Sequence, residues 1–137
     1  MCSDSKSAVP AISTSPSDLV YKVCERQDWL AAETSPAYLG SSDDLRDGFI
    51  HLSAAHQLAM TLERHFGGRA GLVLIAFRSG HLAPALRWEP SRGGELFPHL
   101  YGPIAPGLAL QTWPLPLDAG GRHILPELPE APAAVGA

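Results

Sequence analysis

The apolar positions change period several times along the chain, and each change predicts an element. Residues 19–23 (LVYKV) read as a first strand, and residues 25–33 (ERQDWLAAE) as a short helix offering Trp29, Leu30 and Ala32 to a core. Residues 34–48 are rich in turn formers, among them Pro36, Gly40, Ser41 and Gly48. A short strand follows at residues 49–52. The clearest periodicity runs from 54 to 66, where Ala55, Leu58, Ala59, Leu62 and Phe66 recur at helical spacing. Ser53 stands where an N-cap belongs, and Gly67 and Gly68 where a left-handed stop belongs. Residues 72–77 (LVLIAF) are apolar throughout, the mark of a strand covered on both faces. Residues 86–89 and 108–113 are expected strands, the last closed by Pro114 and Pro116. Helices fall early, strands dominate later, and the two do not alternate as a doubly wound sheet requires. The expected class is therefore α+β.

Both ends of the 137-residue chain change character. Residues 1–17 are rich in Ser and poor in large apolar side chains, and residues 126–137 (PELPEAPAAVGA) are similar. Such segments bury too little surface to offset their ordering entropy and are expected to be tails around one domain at 18–125. The net charge of −4 argues against DNA binding, which needs clustered Lys and Arg to displace counterions. There is no apolar run of membrane-spanning length, and the N-terminus lacks the basic-then-apolar pattern of a signal peptide. Cys2 and Cys24 make no disulfide framework, so a cytoplasmic location is expected.

The candidate chemistry lies in two stretches. In GFIHLS, residues 48–53, alternation turns His51 and Ser53 to the side opposite Ile50 and Leu52. A donor, an acceptor and a helix start would meet there, which suits a ribose hydroxyl or a phosphate; a histidine that only fixes the turn is the alternative. The denser stretch is RWEPSRGGELFPHLYG, residues 87–102. Glu89 and Glu95 could divide acid and electrostatic roles, with Arg87 and Arg92 orienting them or holding an anion. Gly93 and Gly94 allow unusual backbone angles. Trp88 and Tyr101 could stack on a flat ring, with His99 beside them. The competing reading is a Pro/Gly loop whose charges pair at the surface. The histidine spacings put no two imidazoles on one face of one element, so no metal is expected. Cys24 has no nearby His and reads as a small buried hydrophobe.

Taken in order, the YK pair of the first strand, GFIHLS, the amphipathic helix ending in HF-G, LVLIAF and RWEPSRGGELFPHLYGP resemble the bacterial family known as domain of unknown function 952. That family has been linked by fold to ADP-ribosyltransferases and RNA 2′-phosphotransferases. The resemblance implies a split pair of small β-sheets with two or three short helices, and NAD or a related nucleotide held between the sheets as substrate. His51 matches the family's IHLS motif. Relatives that read YH on the first strand have their first His where this chain has Lys22, a mobile point charge with no acceptor nitrogen. Glu95, or else Glu89, would be the late carboxylate that steadies an oxocarbenium-like ribose.

The resemblance thus implies an ADP-ribosyltransferase-like cleft with His51 and Glu95 as catalytic residues. Lys22, Ser53, Arg87, Trp88, Glu89, Arg92, Gly94, His99 and Tyr101 would hold the ligand. Two rivals stand beside it: a nucleotide- or small-ligand-binding module without turnover, favoured by Lys22, and an interaction or structural protein. No protein partner is indicated.

Overall fold

The structure is a computed structural model, and it describes residues 19–128. The expectations for the tail at 1–17 and for most of the tail at 126–137 lie outside those residues. Among the described residues the architecture is α+β, with two three-stranded antiparallel sheets. The first sheet contains β1 (Leu19–Glu25), β3 (Leu72–Arg78) and β6 (Gln111–Leu115), in the order β1-β3-β6. The second contains β2 (Ile50–His51), β4 (Leu86–Pro90) and β5 (Leu96–Leu100), in the order β2-β5-β4. Helix α1 (Arg26–Glu33) follows β1, α2 (Ser42–Asp47) precedes β2, α3 (Leu58–Phe66) precedes β3, and α4 (Ser79–Leu82) follows β3. No helix among the described residues is long and apolar enough to cross a membrane.

The LVLIAF run has a direct cause. Its alternate side chains enter two cores on opposite faces of the first sheet. Val73, Ile75 and Phe77 pack with Trp29, Ile50 and Leu100, joining the first sheet to α1 and the second sheet. Leu72, Leu74 and Ala76 pack with Leu58 and Leu62 of α3. Leu125 and Leu128 pack against this second core as well. A backbone bridge links the sheets: Tyr21 N–H donates to Ser53 O at 2.8 Å, and Ser53 N–H to Tyr21 O at 2.9 Å.

Several local expectations are corrected. Ser53 is not a helix cap, because that bridge holds it as extended backbone. Ala54 caps a 3₁₀ turn (Ala55–Gln57) instead, its N–H donating to Gln57 Oε1 at 2.9 Å, and α3 follows. The left-handed residue after α3 is Gly68 (φ 75°), whereas Gly67 has φ −47°. The last strand begins at Gln111 and runs through Pro114; Pro106–Leu108 form a 3₁₀ turn before it. Strand β6 is an edge strand, where proline is tolerated.

Three elements lay unread in the sequence, α4 and two that shape the site. Residues 96–100 form β5, the centre of the second sheet, joined to β4 by a turn with Gly93 at φ 64° and Gly94 at φ 83°. Helix α2 lies inside the turn-rich segment and carries a capping box: Ser41 Oγ accepts from Asp44 N, and Asp44 Oδ2 accepts from Ser41 N. Gly40, just before it, has φ +112°, and a Cβ there would lie 2.7 Å from Asp44 Cβ. Gly40→Ala is therefore expected to destabilise the fold by about 1–3 kcal/mol, read as a lower denaturation midpoint. An unchanged midpoint would show that α2 shifts freely.

Candidate functional site

Strand parity builds the site. In the second sheet the even-numbered residues Ile50 and Leu100 enter the core, so the odd-numbered ones share the other face. Backbone pairing sets His51 opposite His99 and Arg87 opposite His99 on the other side, while Glu89 faces Phe97. His51 and His99 have ring centroids 5.8 Å apart. Phe49 lies stacked on His99 at 4.1 Å and 4.6 Å from His51. This face, α2, the middle of β1 and one side of α3 border a cavity of about 240 Å³. Lys22, His51, Ser53, Thr61 and His99 are among its walls.

Asp44 organises one half. It is 2% exposed, and its carboxylate accepts from Lys22 Nζ at 2.8 Å, Ser41 N at 2.9 Å and His51 N at 3.0 Å. His51 Nδ1 lies 2.6 Å from the same carboxylate. Burial by itself would push this carboxyl up. The bond from His51, the charge and bond of Lys22 and the Ser41 amide outweigh burial and hold it well below the usual carboxylate range. His51 Nε2 lies 2.9 Å from Asp47 Oδ2. The Asp47 carboxyl is also lowered, chiefly by its bond with Arg46. A carboxylate oxygen thus lies within hydrogen-bond distance of each ring nitrogen of His51.

The other half centres on His99, which is 6% exposed. Its Nδ1 lies 2.8 Å from Glu89 Oε1, which also accepts from Tyr101 OH at 2.7 Å. Those two bonds hold the Glu89 carboxyl below its ordinary value and push the Tyr101 phenol up. An ionised Glu89 accepts from Nδ1–H, which leaves Nε2 of His99 outside that contact.

The sequence-derived candidates therefore separate. Lys22, His51, Ser53 and His99 share the cavity wall, but Lys22 is only 4% exposed and its ammonium is taken up by Asp44 and His51 O. Ser53 Oγ lies 3.2 Å from Thr61 Oγ1. Glu95 is not among the lining residues; its carboxylate meets His56 Nε2 at 2.8 Å and Gln57 Nε2 at 3.0 Å. Glu89 and Tyr101 stand behind His99, and Arg87 lies over the Tyr101 ring at 5.5 Å. Trp88, of opposite parity, packs against the core, and Gly94 shapes the β4–β5 turn. The expectation for the Arg92 side chain lies outside the described residues. Cys24 is buried, and burial pushes its thiol up to about 11, so it holds no thiolate at neutral pH. No group of three or more His, Cys, Asp or Glu among the described residues is arranged to hold a metal ion.

Asp44, Asp47 and Phe49 were missed. The signal for Asp44 was present as Ser41-x-x-Asp44, a capping-box spacing followed by Gly48 at the helix end.

These features define a two-sheet α+β domain with a histidine-lined cavity at the edge of its second sheet. The family model described as a protein of unknown function (DUF952) matches residues 23–111, and the chain belongs to that family. It is similar to the crystal structure of protein CC0527 from Caulobacter crescentus, with 44% identity and a TM-score of 0.75, over 77% of this chain and 93% of that one. The solution structure of CC0527 matches with 45% identity and a TM-score of 0.69, over 77% and 90% of the two chains. No curated protein matches.

Proposed function

We propose that the cavity binds the ribosyl portion of an NAD-related nucleotide, as an ADP-ribosyltransferase-like site in a cytoplasmic protein. One observation carries this reading: two imidazoles 5.8 Å apart, each backed by a carboxylate, border one cavity. Vicinal hydroxyls both donate and accept. A hydroxyl set between His51 Nε2 and the partly exposed Asp47 carboxylate would accept from the first and donate to the second. Asp44 and Asp47 beside His51 favour a neutral polyol over a phosphate at this position. At about 240 Å³ the cavity suits a sugar with part of a base, and the remainder of a dinucleotide would extend into solvent.

Two features favour binding over rapid turnover. Glu95 is engaged with His56, so the late carboxylate of the transferase pattern falls to Glu89, which acts through His99. Lys22 replaces the first-strand histidine of relatives and serves Asp44.

Titration calorimetry with NAD and with ADP-ribose tests the proposal. Saturable binding of at least one is expected. His51→Ala is expected to weaken it by about 10–100-fold, the loss of one or two charge-assisted hydrogen bonds. No heat with either ligand at millimolar concentration would rule the reading out.

A further inference from the structure

We infer that Glu89 and His99 form a base dyad that removes a proton from a hydroxyl or water held in the cavity, activating its oxygen for attack. This deepens the proposed function and rests on it for the identity of the substrate. His99 is the catalytic residue and Glu89 the positioning residue.

The geometry has three parts. His99 is almost wholly buried, yet it forms part of the cavity wall. Its Nδ1 is engaged by Glu89, and Tyr101 donates to the same carboxylate oxygen, so the carboxylate is anchored from two sides. Phe49 lies flat against the imidazole at 25° between planes and restrains its rotation. The charged and titratable groups around His99 are Glu89 and Arg87 on β4, Tyr101 beyond β5, and His51 on β2 with Asp44 and Asp47 behind it; Lys22 on β1, Asp43 and Arg46 on α2 and His65 on α3 line the same cavity.

In the transfer, Nε2 takes the proton of the acceptor hydroxyl. The acceptor oxygen bonds C1′ of the ribose as the C1′–N bond to nicotinamide breaks. The electron pair of that bond neutralises the pyridinium, so neutral nicotinamide leaves and the one released proton resides on His99. Water as the acceptor gives ADP-ribose.

The same lone pair can be tested without NAD. In the hydrolysis of p-nitrophenyl acetate, Nε2 takes a proton from water, whose oxygen bonds the acyl carbon as p-nitrophenolate departs. The full chain is expected to release p-nitrophenolate at least 10-fold faster than His99→Ala, while His81→Ala matches the full chain. Glu89→Gln is expected to lower the rate several-fold and to displace the pH profile. Equal rates for the full chain and His99→Ala overturn the dyad. Long-range proton–nitrogen correlation on the unaltered chain supplies a readout that needs no variant. At neutral pH it should find His99 protonated at Nδ1 and bare at Nε2; the opposite tautomer overturns the inference. Calorimetry separates the two proposals. NAD binding without His99-dependent esterolysis sinks the dyad alone, and His99-dependent esterolysis without NAD or ADP-ribose binding sinks the ligand alone.

Discussion

Asp44→Ala is expected to destabilise the fold by about 3–5 kcal/mol, the usual consequence of leaving one member of a buried ion pair unpaired. The substitution strands the Lys22 ammonium at 4% exposure and removes the acceptor of the Ser41 and His51 backbone amides. Against a typical total of about 5–15 kcal/mol, that is a large share. Chemical denaturation at neutral pH measures it, and a loss below about 1 kcal/mol would mean that water reaches Lys22. Lys22→Met combined with Asp44→Asn should recover most of the loss, because both charges disappear while an acceptor for His51 N remains. The pH dependence has a definite sign. The folded-state carboxyl of Asp44 lies below its ordinary value of 3.8. Its contribution is therefore complete above the unfolded value and is lost as pH falls from there through the folded value. Asp44→Ala should accordingly flatten the acid side of the stability curve below about pH 4.

Phe77→Ala should produce a loss of similar size, about 3–5 kcal/mol, by a different mechanism. Phe77 is wholly buried opposite Val20, edge-on to Trp29 at 6.1 Å, in the core that also holds Ile50 and Leu100 of the second sheet. Deletion of its ring removes apolar burial and opens a void between the two sheets. No titrating group is involved, so the loss should be the same at pH 5 and pH 8. A loss that varies strongly across that range would show that the core reorganises around a group that titrates there, as imidazoles do. The seam between the sheets also orients β2 and β5, so this variant should also weaken the proposed binding of an NAD-related nucleotide, although Phe77 does not line the cavity.

The sequence was most legible where one face of an element met one environment. The LVLIAF run announced a strand covered on both faces, and Leu58 and Leu62 announced the helix that covers one of them. The alternation in GFIHLS was enough to set His51 and Ser53 on one side, and both line the cavity. Reading failed where local signals competed. Strand β5 contains Pro98 and follows two glycines, so turn formers masked its apolar parity. Helix α2 has six residues and too short a span for periodicity, although its capping box was readable.

What the sequence determined alone was the α+β class, most of the strands, the principal helix and the family, since these depend on side-chain period and on an uninterrupted motif. What only the tertiary structure decided was which charges meet. Glu95 meets His56 across 39 positions, Lys22 meets Asp44 across 22, and Glu89, in the same motif as Glu95, backs His99 instead. Ion pairs and hydrogen bonds act over a few ångströms in space and carry no signature in chain separation. Strand pairing and register fix those distances, so the partners of a carboxylate emerge only after the sheets have formed.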